Sequence, residues 1–481
     1  VSNLLYLLLS VSAIIFVIKF LRHPQIGFYA LLIAIIFPFQ VFFEHSRAYL
    51  ICDALVLLIL GLSLMRGLLN GESMKIDKGA KIIFVFLIFN FGGVIYVSHY
   101  VADDRLYTIF YQLFTIVKGL LLYVIAFNLI KDSAQVKVAA TVLALIAIAT
   151  SCYFIYEHTY VLGHLATDEY RAADFYNTLD DIYSDDNSGI IKAWMGGPNG
   201  RAKFSLLLFA FILGYMNFKE SFAKNFVYWT ALAITTVSIV LQMSRSSYGF
   251  FLFLVLLYVL KNSRLRHSGF PKIVIVGLLG VLFFYALSES PYAQDKLQDL
   301  SRSDSASNTR MNLASDAILA ASSNLFLGNG FYGIQLAPQL FYQYDSFRTG
   351  VGTHNTYLEI LLDAGMPGLI AFISFLILSF RNSKRLETLA GEPNLRHFAS
   401  GAQFLIIAAS LNFLTAHGIL KNTMLFGLAW LIIGCCNGLL WRMQRGLLAS
   451  PSDPMPQAPV GRVFSRNKFS NNDMQVRHSI R

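Results

Sequence analysis

At 481 residues, 56% apolar and only 14% charged, with a mean hydropathy of +0.55, the chain holds more apolar surface than a soluble core absorbs. Apolar runs of about 18 residues or more recur along it, which reads as a polytopic helical membrane protein; they are continuous rather than alternating, which argues against an outer-membrane barrel. The formal net charge of +10 sits between the runs and reads as topology, with no nucleic-acid partner implied.

Taken in chain order, spans are expected at about 2–20, 25–43, 49–66, 81–99, 106–130, 136–157, 202–218, 225–243, 247–260, 271–288, 356–380, 398–416 and 420–440. The expected fold is therefore all-α, a polytopic bundle of about 12–13 transmembrane helices with a large extracytoplasmic loop. The first run lacks a basic leader and a small-residue cleavage site, so it is taken as a span. The organisation that follows is transmembrane helices over 1–157, a first external loop over 158–201, transmembrane helices over 202–288, a large external loop over 289–355, C-terminal helices over 356–440 and a disordered basic tail over 441–481. No repeat of fixed period is visible.

Lys and Arg collect in Arg66–Lys81, Lys261–Lys272, Arg381–Arg396 and the tail, and span parity puts all four on one side, the cytoplasm. The two long polar segments then lie outside. Cys52, Cys152, Cys435 and Cys436 fall within spans, so neither a disulfide framework nor a zinc signature is present. The cluster Asp180, Asp181, Asp185 and Asp186 imitates a divalent-metal site, but a solvated acidic loop accounts for it; no metal and no cofactor are expected.

Ionisable residues at the edge of lipid are functional candidates by default. Arg245 falls in the short outer turn "LQMSRSSYGFF", Arg310 within the large loop, and His354 where that loop meets the next span. Arginine presents a planar fork of donors that matches phosphate oxygens. Histidine exchanges a proton near neutrality. Two arginines and a histidine converging on one external cavity would suit a phosphorylated lipid leaving group and a hydroxyl nucleophile. Singly, each has an ordinary explanation as an interfacial anchor, a solvated loop charge or a capping residue.

Thr356 and Glu359 have capping-box spacing, so a helix is expected to start there, with His354 and Asn355 just before it; Thr353 is the alternative cap. The "AGMPG" stretch at 364–368 should end that helix after about two turns. A helix broken at membrane depth is tolerated where protein or water covers the freed backbone, so this segment should line a cavity.

The order "SRSSYGFF", "NTRMNLASDAILAASSNLFLGNGFYG", "HNTYLEILLDAGMPGL" resembles the O-antigen ligase and polysaccharide polymerase superfamily of bacterial membrane glycosyltransferases. There a Ser-Arg motif begins a span, an Arg opens an amphipathic loop helix that ends in a G-x-G turn, and a His-Asn motif leads into a broken helix. The motif resemblance covers about Arg201 to Leu378. The chain departs from it in the span count, which puts Val1 outside, and in Asn329, where an aliphatic residue is commoner.

The resemblance implies a multi-pass protein of the bacterial inner membrane with its active site facing the periplasm. A glycan on a polyprenyl diphosphate would pass to a hydroxyl acceptor on a glycan, a lipid or a protein by a metal-independent inverting displacement. Arg245 and Arg310 would hold the departing diphosphate and His354 would take the acceptor's proton. Asn355 would fix the loop or a sugar, and Glu359 would orient the imidazole or cap the helix. Arg201 and Arg348 would add phosphate contacts, and Tyr344 would stack on a sugar. Ligase, polymerase and protein glycosyltransferase stay open at this point. The reading from another class is a transporter of lipid-linked sugars, working through Asp53, Lys118, Asn128 and Asn90.

Overall fold

The computed structural model describes residues 15–36, 45–71, 73–99, 106–165, 197–216, 222–242, 244–261, 304–330, 353, 355–415 and 423–448. Over 45–51, 106–112, 157–165, 197–198, 304–310 and 423–425, and at Arg245, it describes the backbone alone. After a helical segment at 15–22 come α1 (Gln25–Ile36), α2 (His45–Asn70), α3 (Lys78–Ser98), α4 (Leu106–Leu129), α5 (Ser133–Leu165) and α6 (Gly197–Tyr215). Then follow α7 (Phe226–Leu241), α8 (Arg245–Lys261), α9 (Asp304–Ser323), α10 (Thr356–Leu389), α11 (Pro393–Thr415) and α12 (Thr423–Gln444). The fold is all-α, and six of the described helices are long and apolar enough to cross a membrane.

Eleven of the expected spans coincide with α1–α8 and α10–α12, while 271–288 lies outside the described residues. The boundaries move where capping or charge decides them. α6 starts at Gly197 rather than 202, because Pro198 and Asn199 enter its first turn, where a missing N–H costs nothing. α10 runs on to Leu389, since Arg381 to Leu389 is a helical extension beyond the apolar run.

Two helix pairs form the body: α4 against α12, and α6 against α11. α10 packs on α3 and α11, and touches α12. Their shared interior is aromatic. Phe375 stacks on Trp430 at 4.7 Å between ring centres, Trp430 meets Phe426 edge-on at 4.6 Å, and Phe372 bridges to Phe413 at 5.4 Å. Such pairs add about 0.5–1.5 kcal/mol beyond their burial.

The described parts of the basic segments gather at one end of the bundle. The Lys75 N–H donates to Asn128 Oδ1 at 2.9 Å, and Asn128 Nδ2 donates back to the Lys75 carbonyl at 3.0 Å. Arg442 donates to the carbonyls of Phe127 and Asn128 at the C-terminus of α4, where a cation also opposes the helix dipole. Lys261 pairs with Glu387 at 2.8 Å and donates to Ser400 and Gln403. The opposite end, carrying the starts of α6, α8 and α10, is called the loop end below.

One ion pair lies inside the spans. Lys118 Nζ of α4 meets Asp53 Oδ1 of α2 at 2.5 Å, with both residues buried. Removing one partner of such a pair strands the other as a bare charge, at about 3–5 kcal/mol, whereas replacing both with apolar groups is near neutral. Lys118→Met should therefore lower the thermal unfolding midpoint in detergent sharply, and adding Asp53→Leu should restore most of it. Equal midpoints for the single variant and the parent would show that the pair does not hold α2 to α4.

Candidate active site at the loop end

The start of α10 is set by Asn355. Its backbone is extended (φ −146°, ψ 113°), and its side-chain oxygen accepts from Tyr357 N at 2.9 Å and Leu358 N at 3.3 Å, satisfying two of the orphan donors of the first turn. Asn355 is thus the cap in place of Thr356, which is the first helical residue. With the cap at 355 the third helical position falls on Leu358, so Thr356 and Glu359 do not form the expected box. Thr353, the alternative cap, bonds to the backbone of Asn355 instead. Its Oγ1 donates to the Asn355 carbonyl at 2.8 Å and accepts from the Asn355 N–H at 3.3 Å. The backbone is thereby pinned on both sides of position 354. His354 itself lies outside the described residues, as do Tyr344 and Arg348.

Glu359 and Asp363 follow one helical turn apart and are both buried. Asp363 was missed in the sequence because it reads as part of the helix break; the signal for it was two carboxylates spaced i, i+4 in an apolar run. Tyr357 fastens the same half-helix to α11, donating to the Ser410 carbonyl at 3.2 Å.

The helix breaks at Gly365 (φ 66°, ψ −173°). Two carbonyls lose their partners there for reasons legible in the chain. Asp363 would accept from residue 367, which is proline and has no N–H. Leu362 would accept from Met366, whose N–H turns away to the Leu325 carbonyl at 2.8 Å. The turn Gly328-Asn329-Gly330 supplies the missing donors: Asn329 N bonds to the Leu362 carbonyl, and Gly330 N to the Asp363 carbonyl at 3.0 Å. Asn329 acts at the junction through its backbone N–H, while its side-chain Nδ2 is buried without a hydrogen-bond partner.

Only glycine fits this junction. Gly328 and Gly330 hold φ of 72° and 77°, and a Cβ on Gly330 would lie 2.4 Å from the Gly93 carbonyl oxygen of α3. Three backbones, of α3, the turn and α10, therefore touch directly.

The turn closes α9, an amphipathic helix whose Leu313, Ala317, Ala320 and Ala321 pack against Leu361 and Leu362 of α10. Arg310 lies on α9 three residues before Leu313, at the register position that continues this buried stripe. α9 and the His-Asn half-helix are thus one assembly.

Arg245 is the first residue of α8, after Ser244, whose carbonyl accepts from Tyr248 N at 3.1 Å; Ser247 Oγ donates to Ser244 Oγ at 3.0 Å. Helix α8 rests on α6 and α11. On α6, Arg201 is 1% exposed, with its guanidinium 5.9 Å from the centre of the Phe154 ring of α5. Two residues on, Lys203 Nζ donates to the Thr415 carbonyl at 3.1 Å, and Asn412 Nδ2 to the Lys203 carbonyl at 3.3 Å. Sequence reading missed Lys203 and Asn412, since nothing local distinguishes a lysine that caps a neighbouring helix. The structure thus joins the helices of Arg310, Asn355 and Glu359 directly, and places the helix starts bearing Arg245 and Arg201 on the same end.

Among the described residues no group of three or more His, Cys, Asp or Glu is placed to hold a metal ion. The acidic cluster at 180–186 lies outside them.

Residues 230–373 match the family model described as Wzy_C, O-Antigen ligase. The match runs from α7 through α8 and α9 to the middle of α10, and so contains Arg245, Arg310, His354 and the junction. An O-antigen ligase family domain is therefore present over part of the chain. No curated protein matches the chain.

The junction predicts a sharp contrast between glycines. Gly330→Ala combines a positive-φ cost of about 1–2 kcal/mol with a clash against α3 and should lower the unfolding midpoint. Gly61→Ala on α2, where nothing lies within 4 Å of the new methyl, should be neutral or slightly stabilising. A Gly330→Ala protein as stable as Gly61→Ala would mean that the three backbones are not in contact.

Proposed function

We propose that this protein transfers a glycan from a polyprenyl diphosphate carrier to a hydroxyl acceptor at its loop end, on the periplasmic face of a bacterial inner membrane. The multi-pass helical architecture and the O-antigen ligase family domain support glycan transfer of the ligase type. The observation that supports the finer reading is the junction at Gly365, which binds the helix carrying Arg310 to the helix that follows His354 in the chain.

In the proposed step the acceptor oxygen attacks the anomeric carbon as the bond to the diphosphate oxygen breaks, inverting that centre. The electron pair leaves with the diphosphate, and the hydroxyl proton passes to His354. Arg245 and Arg310 stabilise the growing negative charge, with Arg201 and Arg348 as further phosphate donors. Donors fixed in advance at such a position contribute about 2.7–4 kcal/mol each in other enzymes. Asn355 holds the approach to His354 through its cap, Glu359 lies on the same half-helix and orients the imidazole, and Tyr344 stacks on a sugar.

A lipid-linked donor also suits the groove that leaves the break between α3 and α10. It has a volume of about 640 Å3 and is lined by Ile82, Phe89, Phe326, Met366, Pro367 and Ile370 among others, almost wholly apolar. The transporter reading is weakened by its own residues. Lys118 and Asp53 are consumed by each other, Asn128 by Lys75 and Val124, and Asn90 donates to the Phe86 carbonyl within its own helix.

The test is a purified, reconstituted protein given a polyprenyl diphosphate-linked glycan and candidate acceptors. Release of polyprenyl diphosphate with glycan on the acceptor is expected. His354→Ala and Arg310→Ala should each abolish it in protein that still folds, while Arg245→Lys should recover part, since a point charge loses the fork. Ordinary turnover in both alanine variants, or passage of intact donor across vesicles without cleavage, would refute the assignment.

A further inference from the structure

Where α5, α6 and α7 meet, their hydroxyl groups pair off level by level. Thr141 Oγ1 and the Tyr228 hydroxyl lie 3.0 Å apart, Ser151 Oγ donates to Thr235 Oγ1 at 3.5 Å, and Ser205 Oγ and Ser238 Oγ lie 3.2 Å apart. One turn nearer the loop end the pairing stops. At that level α5 offers Phe154, α6 offers Arg201 with its guanidinium near that ring, and α7 offers Gln242. Ala231, Thr235, Ser238 and Gln242 form one buried face of α7, so Gln242 continues the face that carries the paired hydroxyls lower down.

Gln242 is 2% exposed, and neither its Nε2 nor its Oε1 has a hydrogen-bond partner. The backbone gives it no reason to be polar, since its N–H already bonds to the Ser238 carbonyl at 3.2 Å. A leucine or methionine would fill the space without stranding a donor and an acceptor, each costly to bury unmet. The residue also lies three positions before Arg245, inside the family-matched stretch.

We propose that the Gln242 carboxamide is a sugar-contacting, specificity-determining group, which holds hydroxyl of the glycan beside Arg201. This rests on the glycan-transfer reading above. The chemistry of the amide selects the ligand class. It presents one donating and one accepting atom side by side, and saccharide hydroxyls both accept and donate. A phosphate or a lipid headgroup phosphate only accepts, and would leave Oε1 unmet. Arg201, at the same level on α6, is the group suited to phosphate. The two side chains together would read the place where a sugar joins its diphosphate.

The experiment uses the reconstituted full chain with polyprenyl diphosphate-linked glycan and acceptor, comparing the parent with Gln242→Leu and Gln242→Glu. KM for one glycan substrate should rise about tenfold in both variants, the ratio that corresponds to about 1.4 kcal/mol, with kcat within about twofold. Binding of bare polyprenyl diphosphate should be unchanged. A rise in the donor's KM assigns the contact to the donor sugar, and a rise in the acceptor's KM to the acceptor sugar. The thermal midpoint of Gln242→Leu should equal or exceed the parent's, which a structural role would not allow. If the leucine variant does not fold, Gln242→Met and Gln242→Glu carry the comparison. Unchanged KM values for both substrates would overturn the proposal and leave Gln242 as the seat of a buried water. A parent that never releases polyprenyl diphosphate would refute the glycan-transfer reading instead, a result separate from any difference between variants.

Discussion

The loop end depends on one constraint: a helix broken within an apolar bundle must have its freed backbone groups met by protein. Lipid offers no donors, and each unmet carbonyl costs several kcal/mol. Gly365 and Pro367 free the carbonyls of Leu362 and Asp363, and the Gly328–Gly330 turn answers with two N–H groups. Because the answer comes from the segment that closes α9, the break becomes a fastening. An amphipathic helix whose described packing on α10 runs through Leu313 and three alanines is tied to the apolar bundle by backbone hydrogen bonds. The arrangement needs glycine at the contact points, since a side chain would stand between the backbones.

The same accounting governs many of the bundle's described polar groups. Lys118 and Asp53 neutralise each other, Arg442 caps α4, and the hydroxyls between α5 and α7 bond in pairs or back to their own helices. Against that background an amide with both atoms unmet is an exception, and exceptions among buried polar groups are where function concentrates. Such a side chain is stable only because the rest of the interface is packed well enough to offset it.

Much of this architecture was open to sequence reading. Apolar runs located the helices because the bilayer accepts little else, and the Lys and Arg segments sorted one end of the bundle from the other. The break at 364–368 was legible from Gly and Pro alone. The capping pattern was misassigned by one residue, because Asn, Thr and a second Thr each cap well locally and only the extended backbone at Asn355 decides among them. Lys203, Asn412 and Gln242 carried no local mark, and Asp363 only its spacing from Glu359. Three of the four matter through a neighbour distant in sequence: Lys203 through Thr415, Asn412 through Lys203, and Asp363 through Gly330.

The chain by itself determined its solvent, its helices, and the residue types capable of phosphate and proton chemistry, because hydropathy and side-chain chemistry are local properties. Tertiary structure alone decided which freed carbonyls of α10 meet which N–H groups of the α9 turn, and which buried polar side chains find a partner. Those are questions of distance between segments remote in sequence, and hydrogen bonding, which falls off within a fraction of an ångström, is settled only when the segments are in place.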